Sequence, residues 1–585
     1  MVFWDTETSA VPISPTVTEH HLRLGWAAYW RNDLVVDDES ALVWRSFTSH
    51  ASVADTIEEF ACQGETLYAV AHNLDFDLVV SGLLVSLPER GWRLVAAYTD
   101  PGAKVYRFRK ARAQLVFVDS LNYFRGSLAS LGERIGLDKL SVDFATVDDD
   151  TLSEYCRRDV LILYRTFREY RGFLSAGDYG NFAITAASQA FKAFTHRFLH
   201  HQVYIHDKEK AISLERSAYF GGRCEAFWIG SPGPGPFYKL DMNSLYPHIM
   251  AATPVPVKLV GYYSPLSMLE LEVLSSAYYV IADVLVHTDT PHLPCRWQGR
   301  LVFPTGYFRT SLAGPELAAA LFHDQVVEVY AASFYQQAVL FKEYVEHFYA
   351  KRLEFRQAND PILEYFCKVL LNSLYGKFGQ ARTEWVTVGE IDPREVYLMD
   401  CYEPGGVNYL ERGLCGAQQR RYVLGNSYNT LVAIPVAITA AGRMLLWSLI
   451  QQAGRENVYY VDTDSLIVNG GGLARLAGKI TVEPVLGGLR VEGESETLLI
   501  RGAKDYSFGD ETKRKGIRRD AEQLAPSVYR QDQWLSLRGQ VLRGTVDRAL
   551  VLRIVKQISN RYTKGIVLDS GQVIPFVLSR ASPAL

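Results

Sequence analysis

Three aspartates in two separate segments could hold a pair of divalent cations. Asp462 and Asp464 are two residues apart, a spacing that puts side chains on one face of a strand or at a hairpin tip. Asp241 follows the strand-like run 237–240 and could supply the facing ligand. A DxD pair alone is more often a solvated turn, but apolar flanks would bury this one, and buried unpaired carboxylates are costly. Two Mg²⁺ ions roughly 3.5–4 Å apart can catalyse phosphoryl transfer. Because Mg²⁺ takes most of its remaining ligands from water and phosphate, two or three aspartates are enough to hold the pair.

A helix is predicted from Asp360 onward. Asp360 is a suitable N-cap and Pro361 suits the first helical turn. The helix would carry one polar stripe and a separate apolar set. A cation, an amide and an aromatic ring on one face suit a triphosphate, a sugar edge and a base, although the lysine alone could simply extend to solvent. The stripe is Lys368, Asn372, Tyr375 and Gly379; the apolar set is Leu363, Phe366, Leu370 and Leu374.

A second set of carboxylates lies near the N-terminus. Asp5 and Glu7 form a DxE pair that we expect to close the first strand, and Asp77 ends the segment 73–77 after another apolar run. Tyr155 and Asp159 fall one turn apart on a predicted helix. Each pattern alone is common on protein surfaces, so only their combination is informative.

The surrounding pattern is that of an α/β protein with several structural units. Residues 1–165 alternate β-rich runs (2–4, 68–71 and 115–118) with helical stretches, and residues 310–380 are predicted to be mostly helical. The turn-forming stretch 231–236 is expected at the surface. Residues 431–450 are apolar enough to resemble a membrane span, but they contain Pro435 and Arg443, so a buried core helix is the better interpretation.

Composition limits the partners and the compartment. The chain has 585 residues, enough for roughly three to five structural units, and a net charge of -4. Any contact with nucleic acid must therefore come from local basic patches. Seven cysteines, Cys62 among them, form no CxxC pair, which argues against a zinc ribbon or a disulfide framework. The first residues do not resemble a signal peptide. We expect reduced thiols, no membrane and a cytoplasmic location, the host cytoplasm if the protein is viral.

Three segments resemble motifs A, B and C of family B DNA polymerases, in the family's order: DMNSLYP at 241–247, KVLLNSLYG at 368–376 and YVDTDS at 460–465. The resemblance implies that Asp241 and Asp464 are the main metal ligands, with Asp462 beside them and the carbonyl of Met242 facing a metal. Tyr246 would pack under the sugar and exclude ribonucleotides. Further nucleotide contacts are implied for Lys368, Asn372 and Tyr375, and a second phosphate contact for Lys351 or Arg352.

The N-terminal segments resemble the three motifs of proofreading exonucleases, DxE, NxxFD and YxxxD. By that resemblance Asp5, Glu7, Asp77 and Asp159 would bind two metals and Tyr155 would orient the attacking water, while Asp75 stands outside the motif. Ser120 and Leu121, with Asn73, would bind a single strand, and Lys139 would contact the scissile phosphate. Core packing is an equally good account of Leu121, Tyr123 and Phe124.

Other segments resemble the family's DNA-contacting elements. Tyr219, Gly221 and Gly222 would form a YxGG linker that holds template between the two sites, an ordinary turn being the alternative. Lys504 and Tyr506 resemble a KxY element that grips the primer terminus. The densest basic cluster follows, and phosphate contact is favoured there over a solvated charge run. It comprises Lys513, Arg514, Lys515, Arg518 and Arg519.

The resemblance implies an α/β multidomain fold, an RNase H-like exonuclease domain followed by a right-hand polymerase of palm, fingers and thumb. Because Asp5 is so near Met1, we expect no additional N-terminal domain. The expected units are the exonuclease domain 1–180, palm with motif A 181–264, a palm insertion that would contact a terminal protein 265–335, fingers 336–380, a second insertion 381–425, palm with motif C 426–505 and thumb 506–585.

The expected function is template-directed addition of dNTPs to a 3′-hydroxyl, with 3′→5′ proofreading. Mg²⁺ is the expected cofactor, two ions per site, with Mn²⁺ as a substitute. Partners would be primer-template DNA, dNTPs and a terminal protein, and the chain would be a monomer. The small size resembles the protein-primed phage and linear-plasmid branch with strand displacement. The alternatives are a compact nucleic-acid-primed phage replicase, and a nuclease or non-catalytic accessory, which would be expected to have lost carboxylates. A reverse transcriptase would lack the motif B helix and this exonuclease.

Overall fold

A computed structural model describes residues 1–31, 39–61, 65–99, 103–402, 408–482, 484–559 and 561–580. Cys62 lies outside these residues. The other six cysteines are unpaired thiols, five of them buried, as expected for a reduced protein.

The strands of the N-terminal part are β1 Val2–Ser14, β2 Val17–Tyr29, β3 Val43–Phe47, β4 Thr66–Ala71, β5 Arg93–Tyr98, β6 Val105–Lys110 and β7 Ala113–Asp119. Those of the middle are β8 Cys224–Ala226, β9 Phe237–Met242, β10 Val255–Tyr263, β11 Tyr279–Thr288, β12 Cys295–Trp297, β13 Arg300–Val302, β14 Thr305–Ala313, β15 Val326–Ala338, β16 Ala381–Glu390, β17 Tyr397–Tyr402, β18 Asn408–Leu414 and β19 Ala417–Asn426. The remaining strands are β20 Val458–Asp462, β21 Ser465–Asn469, β22 Leu489–Ser495, β23 Leu498–Gly502, β24 Asp505–Phe508, β25 Glu511–Lys513, β26 Glu522–Ala525, β27 Val528–Trp534, β28 Ala549–Gln557, β29 Ile566–Val567, β30 Val573–Ile574 and β31 Val577–Leu578.

The helices of the N-terminal part are α1 His50–Phe60, α2 Leu74–Val80, α3 Leu83–Glu89, α4 Leu128–Arg134, α5 Asp149–Ala176, α6 Ala186–Ala193 and α7 Glu209–Ala218. Those that follow are α8 Leu245–Ala252, α9 Met268–Ala277, α10 Pro315–Phe322, α11 Lys342–Gln357, α12 Pro361–Lys377, α13 Ala433–Ala453, α14 Gly470–Leu476 and α15 Leu537–Val541.

A ten-stranded sheet organises the N-terminal part, in the order β26-β27-β28-β2-β1-β4-β7-β6-β5 with β3 beside β2. The pairs β1–β4 and β4–β7 are parallel, and the other pairs are antiparallel. The expectation that Asp5 and Glu7 close the first strand is wrong, because β1 continues to Ser14 by pairing with β2. Three C-terminal strands, β26 to β28, extend the same sheet through β28 and β2. The two ends of the chain thus share one sheet.

A five-stranded antiparallel sheet carries the other aspartates, in the order β22-β9-β21-β20-β8; we call it the Asp241 sheet. Helices α8 and α13 join it in one hydrophobic core that continues to α12 and α5. Among the described residues α13 is the one helix long and apolar enough to cross a membrane, and it is mostly buried within the protein. Its burial agrees with the core-helix interpretation.

A third sheet, β10-β15-β11-β14-β31, takes four of its five strands from residues 255–338. Helices α10, α11 and α12 fill most of residues 310–380, as predicted, but the 13-residue strand β15 lies between α10 and α11. Because β10 and β11 pair with it on its two sides, β15 is a central strand of this sheet. Residues 381–426 form a fourth, antiparallel sheet, β16-β19-β18-β17. Leu414 and Cys415 pack it into the core of the N-terminal part.

Helices α11 and α12 lie side by side next to the Asp241 sheet. The N-cap prediction is confirmed, since the Asp360 side chain accepts a hydrogen bond from the Leu363 N–H at 3.0 Å and Pro361 begins α12. The helix ends at Lys377, so Gly379 lies outside the predicted stripe; a side chain there would meet the Tyr219 ring at 2.9 Å. The long helix predicted around Tyr155 and Asp159 is α5.

Candidate active sites

The strand register brings Asp241 next to the hairpin that carries Asp462 and Asp464. Ser465 of β21 faces Asp462 across the hairpin and Asp241 on the other side. The backbone N–H of Met242 donates to the carbonyl oxygen of Asp464 at 2.8 Å, and the N–H of Asp464 donates to the Asp462 carbonyl at 2.7 Å. Thr463 forms the tip with a φ of 61°. The predicted hairpin and strand end are therefore confirmed, and three carboxylates share one edge.

The electrostatic surroundings of these carboxylates favour a bound cation. Burial, and next the charge of Asp241, raise the pKa of Asp464 to about 6. Burial and the charge of Glu492 also raise the pKa of Asp241. Nearby cations compensate only in part, with Arg490 3.7 Å from Asp241 and Lys504 3.6 Å from Asp462. Because hard oxygen ligands with excess negative charge suit Mg²⁺, the residues fit the divalent ions that the motifs imply.

Helix α12 faces this edge with the predicted polar side chains. Burial, and next the charge of Arg352, lower the pKa of Lys368. The Asn372 amide nitrogen donates to the carbonyl of Lys368 at 2.9 Å, and the rings of Tyr375 and Tyr246 lie 4.9 Å apart at 40°. A cleft of about 800 Å³ runs from these side chains to the N-terminal sheet, lined among others by Lys368, Asn372, Tyr375, Arg107, Arg125, Tyr365, Lys377 and Trp385.

The structure distinguishes the two candidates for a second phosphate ligand. The Arg352 guanidinium donates to the Ser244 hydroxyl of motif A at 3.3 Å and lies 3.4 Å from Glu364. Lys351 pairs instead with Glu354 at 2.9 Å, one turn along the same helix. Of the two, Arg352 is the side chain beside motif A, and their roles stay predictions.

The predicted YxGG linker lies against the hairpin tip. A side chain at Gly222 would come within 2.7–2.9 Å of Thr463 and of the Tyr246 hydroxyl. Two arginines that sequence analysis missed hold the linker's carbonyls. Arg443 donates to Phe220 and Gly221 at 2.8 and 2.9 Å, and Arg296 donates to Tyr219 at 2.9 Å. A charged residue in the apolar stretch 431–450 was the one sequence signal for Arg443.

The KxY segment adjoins the same hairpin from the other side. The backbone N–H of Lys504 donates to the Tyr460 hydroxyl at 2.8 Å, and the rings of Tyr506 and Tyr460 lie 5.0 Å apart. Lys513 of β25 lies 5.6 Å above the Tyr506 ring. Lys515 is exposed and has no acidic partner among the described residues. The basic cluster therefore continues from the carboxylate edge outward.

In the N-terminal sheet, Asp5 and Glu7 lie on β1 with Thr6 between them. The N–H and hydroxyl of Thr6 both donate to one oxygen of Asp77, at 3.1 and 2.7 Å, which ties β1 to α2. Tyr155 and Asp159 approach from α5, and Cys156 lies between them in sequence with its sulfur 3.6 Å from a carboxylate oxygen of Asp5. The structure thus brings together the acidic residues predicted for this site, and adds Thr6 and Cys156.

In this second site several buried carboxyl groups lie close enough to repel one another when charged. Burial raises the pKa of Asp5 to about 7, with Asp159 the next cause, and raises that of Glu7 to about 9, with Asp5 the next cause. Burial also raises the pKa of Asp77 and of Asp159. The Lys139 ammonium pairs with Asp159 and lies 4.2 Å from the Tyr155 ring centre. One oxygen each of Asp77 and Asp159 is buried without a hydrogen-bond partner, so these residues fit bound divalent cations.

The neighbouring loops hold the predicted single-strand contacts. One oxygen of Asp119 accepts from the N–H groups of Asn73 and Leu121, at 3.1 and 2.9 Å. The Ser120 hydroxyl lies 2.7 Å from the ring nitrogen Nδ1 of His72, a residue that sequence analysis missed. Leu121 is half-buried, whereas Tyr123 and Phe124 belong to the core. Core packing is therefore the account of those two aromatic rings.

The Asp75 carboxylate binds neighbouring side chains of the N-terminal part instead of facing the Asp5–Glu7 pair. It accepts from the buried Tyr106 hydroxyl at 2.8 Å and lies 3.0 Å from the Lys104 ammonium. Asp77, by contrast, is bound to Thr6 of the Asp5–Glu7 pair. The choice of Asp77 over Asp75 agrees with this arrangement.

The comparisons with known proteins relate part of the chain to DNA polymerases. Residues 146–390 match the model of the family described as DNA polymerase type B, organellar and viral. Over this range the chain is similar to the type B DNA polymerases. A probable DNA polymerase of Neurospora intermedia is 25% identical over 343 residues, 54% of this chain and 34% of the relative. The DNA-directed DNA polymerase of Enterobacteria phage PRD1 is 28% identical over 307 residues, half of each chain. The chain thus spans half or less of the length of these curated relatives.

Solved structures of a phage polymerase have the same fold. Phi29 DNA polymerase complexed with single-stranded DNA superposes with a TM-score of 0.69 over 95% of this chain and 99% of that one, at 14% identity. Its complex with primer-template DNA and incoming nucleotides gives a TM-score of 0.67. The expected α/β multidomain fold is confirmed, and it is the fold of phi29 DNA polymerase.

Proposed function

We propose that the chain is a template-directed DNA polymerase that extends a primer 3′-hydroxyl with dNTPs and removes nucleotides with a 3′→5′ exonuclease. The observation that carries the proposal is the pairing of β9 with β21, which sets Asp241 beside Asp464 under the polar face of α12. A separate carboxylate set on β1, α2 and α5 supports the second activity. The relatives from Neurospora intermedia and phage PRD1 are both named DNA polymerases, which supports the first activity.

The polymerase centre would use its side chains as follows. Two divalent cations, Mg²⁺ or Mn²⁺, would when bound activate the attacking hydroxyl and stabilise the leaving group. Asp241 and Asp464 hold that pair, with Asp462 beside them. Lys368 and Arg352 bind the triphosphate from the helix side, because both are cations next to motif A. Tyr246, backed by the Tyr375 ring, closes the space below the sugar and so disfavours a 2′-hydroxyl.

The exonuclease centre would work in a similar way with other residues. Asp5, Glu7, Asp77 and Asp159 would hold the cations, and one buried oxygen each of Asp77 and Asp159 has no other hydrogen-bond partner. Tyr155 orients the attacking water beside Lys139, whose ammonium lies over the Tyr155 ring and can contact the phosphate. Ser120, Leu121 and Asn73 bind the single strand at the loop that Asp119 organises.

Contacts with DNA would be local, because the net charge of the chain is -4. The cleft beside α12 combines Arg107, Arg125 and Lys377 with Tyr365 and Trp385, a set that suits a phosphate backbone and stacked bases. The segment 513–519 adds cations beside the primer-gripping element. We place the protein in genome replication of a virus or plasmid, as a monomer in the cytoplasm of the host.

Initiation from a terminal protein, with strand displacement, is the finer part of the proposal. It rests on the resemblance to the protein-primed branch. The insertion 265–335 that would contact such a primer is folded as a sheet with α9 and α10 on it. Incubation with the terminal protein and a labelled dNTP tests it. A covalent protein–nucleotide product supports protein priming, and extension from oligonucleotides alone supports the compact replicase.

Extension of a primed single-strand template through a downstream duplex tests polymerisation and displacement together. We expect the wild-type chain with Mg²⁺ to extend the primer. Asp464→Asn should lose extension by about 10²–10³-fold, the cost of removing one electrostatic group from an active site, while keeping 3′→5′ degradation. The double change Asp5→Ala with Glu7→Ala should do the converse. Loss of both activities in either variant would contradict the assignment of two centres.

A further inference from the structure

A thiol lies inside the exonuclease carboxylate cluster and has no part in the function proposed so far. The sulfur of Cys156 is 3.6 Å from a carboxylate oxygen of Asp5 and 3.5 Å from the Asp5 carbonyl oxygen. Ligand atoms of Asp5, Glu7 and Cys156 all lie within 4.8 Å of one another. In the part of the chain that the structure describes, this is the one group of three such residues gathered so closely.

The separation of the Cys156 sulfur from the Asp5 carboxylate oxygen is compatible with both atoms binding one tetrahedral metal ion. With a zinc–sulfur bond of about 2.3 Å and a zinc–oxygen bond of about 2.0 Å, neighbouring ligand atoms at tetrahedral angles are about 3.5 Å apart. The observed sulfur–oxygen separation of 3.6 Å is close to this value. Because Cys156 belongs to the 28-residue helix α5 and Asp5 to the central strand β1, both ligands are held by rigid elements.

Two further carboxylates of the same site have oxygens without a hydrogen-bond partner. Asp77 and Asp159 are 1% and 3% exposed, and each keeps one buried oxygen without a hydrogen-bond partner. Lys139 already neutralises Asp159. Among the described residues no lysine or arginine lies within salt-bridge distance of Asp5 or Glu7, so a cation bound beside Cys156 would not have to displace an ion pair there.

We propose that Cys156 joins Asp5 and Glu7 in binding a thiophilic divalent cation such as Zn²⁺ or Cd²⁺, and that this ion competes with the Mg²⁺ pair and slows 3′→5′ degradation. Binding forms the metal–sulfur bond and releases to solvent the thiol proton and any proton held by the Asp5 and Glu7 carboxyls, with no change of oxidation state. A thiolate ligand selects such ions, whereas Mg²⁺ prefers oxygen alone. The inhibitory half rests on the exonuclease function proposed above; the binding half does not.

The binding half is tested by titrating the reduced, metal-stripped full chain with Cd²⁺ and recording the sulfur-to-cadmium charge-transfer absorbance. We expect wild type to show a tight component that Cys156→Ser loses. Asp5→Asn, which keeps the thiol, should weaken it at least about tenfold, the loss that even an outer-shell change can cause. The matched control is Cys295→Ser, because Cys295 is also buried and contacts a backbone carbonyl instead of carboxylates. It should keep the component.

The inhibitory half is tested by measuring degradation of a single strand in fixed Mg²⁺ while Zn²⁺ is added. Cys156→Ser should need at least about tenfold more Zn²⁺ for half-inhibition than wild type or Cys295→Ser. Equal Cd²⁺ spectra and equal Zn²⁺ sensitivity in Cys156→Ser and wild type would overturn the inference and leave Cys156 as a packing residue against Leu24 and Leu152. Absence of Mg²⁺-dependent degradation in wild type would instead overturn the exonuclease function, while the Cd²⁺ spectrum would still report the site.

Discussion

The backbone N–H of Met242 donates a hydrogen bond of 2.8 Å to the carbonyl oxygen of Asp464. This bond joins the end of β9 to the tip of the β20–β21 hairpin, so the carboxylates of motifs A and C are held by backbone contacts as well as by their own strands. Rigid support of this kind matters because misplacement by about 1 Å can cost about 100-fold in rate. We therefore expect substitutions of residues that contact the hairpin tip to lower polymerase activity.

Gly222→Ala should impair polymerisation through that tip. Its added methyl would lie 2.7–2.8 Å from Thr463 and 2.9 Å from the Tyr246 hydroxyl, so the tip or the tyrosine must move. We expect primer extension to fall by about 10- to 100-fold and 3′→5′ degradation of single strands to change little. Gly221→Ala is the matched control, since nothing lies within 4 Å of a methyl there. Equal loss in both variants would mean that flexibility of the linker, and not contact with the tip, is what matters.

Glu7→Gln should stabilise the metal-free protein at high pH. The ordinary pKa of this carboxyl, 4.5, is raised to about 9 by burial and by the charge of Asp5. Below pH 4.5 both folded and unfolded chains are protonated at Glu7 and it contributes nothing. Between pH 4.5 and 9 the unfolded chain loses the proton and the folded chain keeps it, so folding becomes less favourable as the pH rises. The variant lacks this penalty.

The measurement is the midpoint of thermal unfolding in EDTA at pH 5 and pH 8. The variant should exceed wild type at pH 8 by clearly more than at pH 5. Addition of Mg²⁺ should stabilise wild type more than the variant, because ligand binding to the folded state adds stability and the variant has lost one ligand. A difference independent of pH would show that Glu7 is not held in its neutral form.

Arg443 and Glu316 form a fully buried ion pair at 2.7 Å that supports the linker from below. Arg443→Met should destabilise the protein by about 3–5 kcal/mol, because Glu316 is left as an unpaired buried charge. Adding Glu316→Leu should recover much of that loss, since a buried pair replaced by apolar residues is often nearly neutral. Thermal unfolding of the four proteins in the cycle measures it, and strictly additive losses would rule out direct coupling.

Local rules predicted the parts of the fold that local chemistry determines. The start of α12 follows from Asp360 and Pro361, and the hairpin of Asp462 and Asp464 follows from their apolar flanks. The length of β1 does not, because its second half is exposed and is defined only by pairing with β2. The central position of β15 likewise depends on its partners in the sheet.

Several contacts in the sites depend on residues far apart in the chain, and the sequence does not predict them. Strands β26 to β28 join the N-terminal sheet across more than 500 residues of chain, and no pattern in either segment specifies the partner. Lys139 was assigned to a phosphate, and its ion pair with Asp159 is visible only in the folded protein. Cys156 looked like any isolated thiol until α5 placed its sulfur beside Asp5. The motif residues were predictable because their types and spacing carry the chemistry themselves.

The basic segment after the primer-gripping element should set the salt dependence of DNA binding. Replacing both Lys513 and Lys515 by Ala should weaken primer-template binding and make the slope of log affinity against log salt shallower by up to about two, roughly 0.9 per lost phosphate contact. Sequence preference should not change, because phosphate contacts carry no base information. Arg518→Ala is the control, since that guanidinium makes two hydrogen bonds to Asp520, at 2.9 and 3.0 Å, and should contribute less than Lys513, whose ammonium lies 3.6 Å from Glu511. If the double variant kept the wild-type slope while Arg518→Ala changed it, the DNA would contact the far end of the segment instead of the end beside Tyr506.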